Sequence, residues 1–99
     1  MKINELNGDA LDLAVANCEG LALKKDETWA EYSTDWAYGG PIIEREKIEI
    51  FLRDEQWFAY SSFSLPMDFP GDSPLIAAMR CYVAGMRGSH IELTGAEHD

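Results

Sequence analysis

Apolar residues recur with helical spacing near both ends of the chain and with strand spacing between them. In "LNGDALDLAVANCEG" (6–20), Leu11, Ala14, Val15 and Cys18 fall at i, i+3, i+4 and i+7, one stripe of an amphipathic helix. Asn7 is placed to cap that helix, Asp9 suits its positive end, and Gly20 suits a left-handed stop. Asp12 and Glu19 fall on the side away from the stripe. Residues 21–25 (LALKK) and 27–32 (ETWAEY) are short enough to be two paired strands. Gly39-Gly40-Pro41 is expected to interrupt any regular element. Ile42 to Glu46 then forms one helical turn begun at Pro41, or an extended approach to the next strand.

"KIEIFLRD" (47–54) alternates: Ile48, Ile50 and Leu52 point one way, Glu49, Phe51 and Arg53 the other. That period of two is a half-buried strand. "EQWFAYSSF" (55–63) is a second strand, and Asp54-Glu55 between them suggests a hairpin. Lacking glycine, it is expected to use a loop longer than a tight primed turn. "SLPMDFPGD" (64–72) reads as loop. A helix follows, capped by Ser73, with Pro74 in its first position and Gly88 at its end. Leu75, Met79, Tyr82 and Met86 form its large apolar stripe. Ala77, Cys81, Ala84 and Gly85 form a neighbouring side of small residues that allows close approach to a sheet. Residues 91–99 are expected to add a short strand and then fray. The class is α+β: a small antiparallel β-sheet with two main helices packed on it, in a single domain over 1–99.

Composition narrows the function. Eighteen acidic against eight basic residues leave a formal charge of −10 on 99 residues. Such a field repels nucleic acid and anionic membranes, so neither is an expected partner. The acids serve solubility, or they cover a basic patch on another protein. Cys18 and Cys81 have no metal-motif spacing and read as reduced core residues. The start "MKINELNGDA" lacks an apolar signal region, and no apolar run approaches the ~20 residues of a membrane span. The expected location is the cytoplasm.

Catalysis is not expected. Both histidines, His90 and His98, fall in the tail, and no Ser/His/Asp or Cys/His arrangement can be assembled. Gly39-Gly40 falls short of a phosphate-cradling loop, and Asp35, Glu44 and Glu46 match no calcium loop. No catalytic residue, metal or cofactor is therefore assigned. The chemistry that remains is binding, concentrated in "STDWAYGGPIIERE" (33–46). Trp36 and Tyr38 offer faces on which a base could stack. Ser33, Thr34 and Asp35 offer groups for ribose hydroxyls or base edges. Gly39 and Gly40 permit close backbone approach and present N–H groups to a phosphate. Arg45 offers charge-assisted contact. Arg80, the lone charge between Pro74 and Met86, needs a partner: an acid such as Asp35, or an anion from outside. The plainer account places Trp36 in the core, makes the glycines a turn and Asp35 a cap, and lets Arg80 reach along the surface to solvent.

Three segments together, 6–20, 33–46 and "PLIAAMRCYVAGMRG" (74–88), resemble the NinX-like small proteins of tailed bacteriophages and enterobacterial prophages. The likeness spans roughly residues 1 to 88. The chain departs from the family near Leu13, where relatives often carry a tryptophan, between 24 and 33, where many have a longer insert, and at the variable residue 38, here Tyr38. The resemblance implies a phage accessory protein made in the bacterial cytoplasm and supplies no catalytic residues. The expected function is non-enzymatic: a counter-defence binder that sequesters a small nucleotide-type host immune signal. A homo-oligomer is expected to help enclose it, with "FSLPMDFPG" (63–71) as one apolar contact. The competing expectation is an acidic inhibitor or nucleic-acid mimic that blocks a host protein.

Overall fold

Ser73 Oγ accepts the Ile76 N–H at 3.1 Å, and Pro74 opens the helix that organises the molecule. The computed structural model describes residues 2–20, 29–61 and 67–87. A 3-10 turn (Ile3–Glu5) precedes α1 (Gly8–Cys18), α2 (Trp36–Glu46), β1 (Glu49–Arg53), β2 (Gln56–Tyr60), β3 (Phe69–Gly71) and α3 (Pro74–Arg87). The strands form an antiparallel sheet in the order β1-β2-β3. Helix α3 packs on this sheet and also meets α1 and α2. The fold is α+β, and no helix among the described residues is long and apolar enough to cross a membrane.

The core follows the predicted stripes. Leu11, Ala14 and Val15 of α1 and Leu75, Met79 and Tyr82 of α3 are buried, with Ala59 and Phe69 from the sheet. Met86, the last residue of the α3 stripe, is exposed. The small side of α3 does allow close approach: a Cβ on Gly71 would fall 2.3 Å from Ala77 N, so strand and helix backbones touch there. At the end of α1, Gly20 takes φ +84, the left-handed stop its position implies.

Several local expectations are corrected. Gly39-Gly40-Pro41 does not break the chain; α2 runs straight through it. Asp35 caps this helix, its Oδ1 accepting the Ala37 N–H at 2.9 Å. Proline removes one helical hydrogen bond and crowds the preceding residue, but glycine at 40 has no Cβ to be crowded. Gly39 has a tertiary reason: its Cβ would meet Tyr32 O and Leu75 Cδ2, each at 2.6 Å. The β1–β2 connection is also not a long loop. Arg53 pairs with Gln56 across a two-residue turn in which Asp54 (φ 53) and Glu55 (φ 64) are both left-handed. The strand pairing imposes a primed turn on a pair without glycine: Asp54 tolerates the left-handed region, and Glu55 takes it at a cost. Residues 69–71 are a strand rather than loop, with Pro70 tolerated at the sheet edge.

Residues 29–31 are not a strand, and 32–34 form a turn. The strand expected at 21–25, the end of α3 at Gly88, both histidines and the strand in the tail lie outside the described residues. Asp12 is another correction. The buried arc of α1 is wide enough to include it, and its Oδ1 accepts the Ser33 N–H at 2.8 Å. That bond pins the 32–34 turn to α1 and so sets where α2 begins.

Candidate functional site

Helix α2 presents two flanks beside its buried side. At 100° per residue, Tyr38 and Arg45 lie within ~20° of each other, while Trp36 lies ~160–180° from both. The Tyr38–Arg45 flank faces the end of α1 and the middle of α3, where a polar and aromatic cluster forms. Arg45 grips Glu19 as a fork, Nη1 to Oε1 at 3.1 Å and Nη2 to Oε2 at 2.6 Å. Its Nε donates to Glu46 at 2.8 Å. Its Nη2 also donates to the Tyr82 hydroxyl at 3.2 Å, with Cζ 5.6 Å from the centre of that ring. The Tyr82 hydroxyl in turn donates to Glu19, and the Cys18 carbonyl lies 3.4 Å away. Two turns nearer the start of α2, Tyr38 meets Tyr32 edge-on, ring centres 6.2 Å apart.

These contacts set the electrostatics. Hydrogen bonding from Arg45 holds the Glu19 carboxyl below its usual range despite partial burial. Arg45 is held above its already high value by the same bonds and stays charged. Burial, then the Glu19 carboxylate, pushes the Tyr82 phenol up. Tyr32 is raised for the same reasons, burial first and the charges of Glu19 and Asp12 after it. Burial pushes the Cys18 thiol up against the pull of Arg87, which suits an inert thiol rather than a nucleophile.

This flank therefore offers half-exposed Arg45 over Glu19 and Tyr82 near the end of α2 and, about 10 Å back along the helix, half-exposed Tyr38 against Tyr32. Among the described residues, four of the five guanidinium N–H groups find acceptors, and one on Nη1 does not. Carboxylates outnumber the guanidinium. Chemically, this suits a flat ring with hydroxyl or amino groups better than a multiply charged phosphate chain.

The other residues expected at a site are dispersed. Ser33 is buried, and its Oγ has no hydrogen-bond partner among the described residues. Thr34 is exposed in the turn, and Asp35 serves as the α2 cap. Trp36 is not in the core: it is 53% exposed, but on the flank away from Arg45. Gly39 is buried in the α2–α3 contact, with Gly40 beside it. Arg80 lies ~100° around α3 from Met79, which meets α2. Its partners among the described residues are two backbone carbonyls and not Asp35. Nε donates to the Leu6 carbonyl at 2.9 Å and Nη1 to the Pro70 carbonyl at 2.8 Å, and burial lowers its pKa.

Glu19, Tyr32 and Tyr82 are cluster members that the linear pattern did not single out. Glu19 read as solvent-facing and Tyr82 as core. The available signal was their type: an acid at the very end of one helix and a hydroxyl-bearing aromatic within the stripe of another.

A family model described as Bacteriophage P22, NinX matches residues 2–86 of the chain. Among curated proteins none matches.

Proposed function

The chain belongs to the bacteriophage P22 NinX family, and from that premise we propose that it is a non-enzymatic accessory protein that sequesters a small nucleotide-type host signal in the bacterial cytoplasm. The observation that carries this reading is one flank of α2 that presents two half-exposed side chains, Arg45 forked onto Glu19 and Tyr38 edge-on to Tyr32. Tyr38 supplies a stacking face, a contact worth about 1–3 kcal/mol per base where it has been measured. Glu19 and Glu46 accept from ribose hydroxyls or an exocyclic amine, and Arg45 retains one N–H for a phosphoryl oxygen. Neither Trp36 nor Arg80 belongs to the proposed seat. Screening over ~8 Å at physiological salt keeps the distant acids from deciding the outcome.

The test is thermal unfolding in the presence of nucleotide signals and NAD-derived metabolites. A ligand at 100 times its Kd adds about 2.7 kcal/mol. The expected result is a rise in Tm with one class of nucleotide, lost in Tyr38→Ala while the fold persists. No rise with any member, together with stable capture of one host protein, overturns the proposal.

A second reading, an acidic inhibitor covering a basic groove of a host protein, is favoured by one observation. Half-exposed Trp36 sits between the exposed cap residue Asp35 and, further along α2, exposed Glu44, and an exposed tryptophan is a common interface anchor. That reading expects binding to fail when exposed Asp and Glu are neutralised in groups and to survive Tyr38→Ala.

A further inference from the structure

Strand β1 has one neighbour, β2, among the described residues, so its other side is a free edge there. A two-residue primed hairpin makes Arg53 and Gln56 a hydrogen-bonded pair. By alternation, Glu49, Phe51 and Arg53 direct their backbone groups toward β2, and Ile50 and Leu52 direct theirs outward. Leu52 also leaves 57% of its surface exposed. An edge of this kind is a template for another strand.

We propose that β1 pairs with β1 of a second copy, antiparallel, about a two-fold axis through Phe51. In that register Ile50 of one chain lies opposite Leu52 of the other, and their outward N–H and C=O groups bond to each other. Both side chains belong to the sheet face that α3 covers, so each exposed Leu52 gains an Ile50 as its cross-strand neighbour. On the opposite face Phe51 meets Phe51, next to the stack that Phe51 already makes with Phe58 at 5.7 Å. Glu49, which has no ion pair among the described residues, lies opposite Arg53 of the second copy. Arg53 is 55% exposed; its guanidinium lies over the rings of Phe58 (4.6 Å) and Phe51 (5.3 Å) and bonds Asp68 at 3.2 Å, and it turns from these to meet Glu49. Just past the strand ends, Lys47 of one chain meets Glu55 of the other.

Charge selects this register. Moving the axis to residue 50 sets Arg53 against Lys47. Moving it to residue 52 sets Glu49 against Glu55. Like charges directly opposite are unfavourable. With the axis at Phe51, both charged pairs are of opposite sign, and the symmetry supplies each of them twice. The edge reads Glu-Ile-Phe-Leu-Arg, a sequence complementary to its own reverse.

Sedimentation equilibrium tests this. The wild-type chain is expected to have the mass of two chains. Glu49→Arg and Arg53→Glu are each expected to have the mass of one. Their equimolar mixture is expected to return to two. There the introduced arginine of one variant faces the introduced glutamate of the other, and the two retained native residues, Arg53 and Glu49, face each other as before. Should either variant fail to fold, Phe51→Cys is the alternative: on oxidation it is expected to form a disulfide dimer across the axis. A monomeric wild-type chain overturns the proposal. So does a dimer that survives Glu49→Arg, a mixture that stays monomeric, or a Phe51→Cys chain that does not cross-link.

Discussion

Gly39 of α2 sits so close to Leu75 of α3 that a methyl group on the glycine would fall 2.6 Å from the leucine Cδ2. It would fall equally close to the Tyr32 carbonyl oxygen, which is backbone and cannot turn aside. Two effects oppose each other in Gly39→Ala. Helix propensity favours alanine by about 1 kcal/mol, and overpacking costs about 1–3 kcal/mol. The rigid carbonyl decides for the second. Gly39→Ala is expected to lower stability by about 1–2 kcal/mol, seen as a lower urea midpoint with an unchanged slope.

The Glu19–Arg45–Tyr82 cluster gives stability a dependence on pH at both ends. Glu19 is depressed in the fold from its ordinary 4.5. Its contribution is complete above that value and is lost as the pH falls through the lower folded value. Tyr82 is raised above its ordinary 10.0, so its contribution is complete below pH 10 and is lost as the pH climbs through the folded value. Glu19→Gln is expected to flatten the acid limb and Tyr82→Phe the alkaline limb of a Tm–pH profile. Because Arg45 is half exposed, a double-mutant cycle between Arg45 and Glu19 is expected to give no more than about 1 kcal/mol.

Arg80 satisfies two carbonyls in separate parts of the chain, Leu6 and Pro70. Arg80→Ala leaves both acceptors without their donor, and the expected loss is about 2–4 kcal/mol by denaturant titration. Arg80→Lys is expected to recover less than half of it, since one ammonium on a narrower stem does not reproduce a guanidinium that reaches two acceptors at once. Retention of full stability by either variant would contradict this account.

The β1–β2 turn carries side chains in a backbone region that favours glycine. Glu55→Gly is expected to raise stability by about 0.5–1 kcal/mol, despite the added freedom of the unfolded chain. Equilibrium unfolding at neutral pH is the measurement. A loss of stability would mean that Glu55 makes a favourable contact that offsets its strain.

The parts of the fold that were legible in the sequence are those written into local spacing. The α1 and α3 stripes, the Ser73-Pro74 start and the alternation in 48–52 each depend on neighbours a few residues away. What was not legible depends on contacts from far along the chain. Gly39 looks like a breaker until Leu75 and Tyr32 press on it, and Asp12 looks solvated until the Ser33 N–H reaches it. The left-handed turn at Asp54-Glu55 is imposed by the register of the two strands. The site divides in the same way. Tyr38 and Arg45 were visible as chemistry in one segment. Glu19 comes from the end of the helix before α2, Tyr82 from the helix that follows the sheet, and no spacing rule joins them. Arg80 was recognised as needing a partner, but backbone carbonyls carry no residue signature.

The two bonds of Arg80 also bear on how the chain acquires its structure during synthesis. Leu6 leaves the ribosome early and Pro70 late, and neither carbonyl gains its donor until residue 80 has followed them. The sheet, α1 and α2 wait for the same helix, since α3 is the surface each of them rests on. A nascent chain short of that helix has nothing to close upon, so proteases should cut it readily until residues 74–87 have followed.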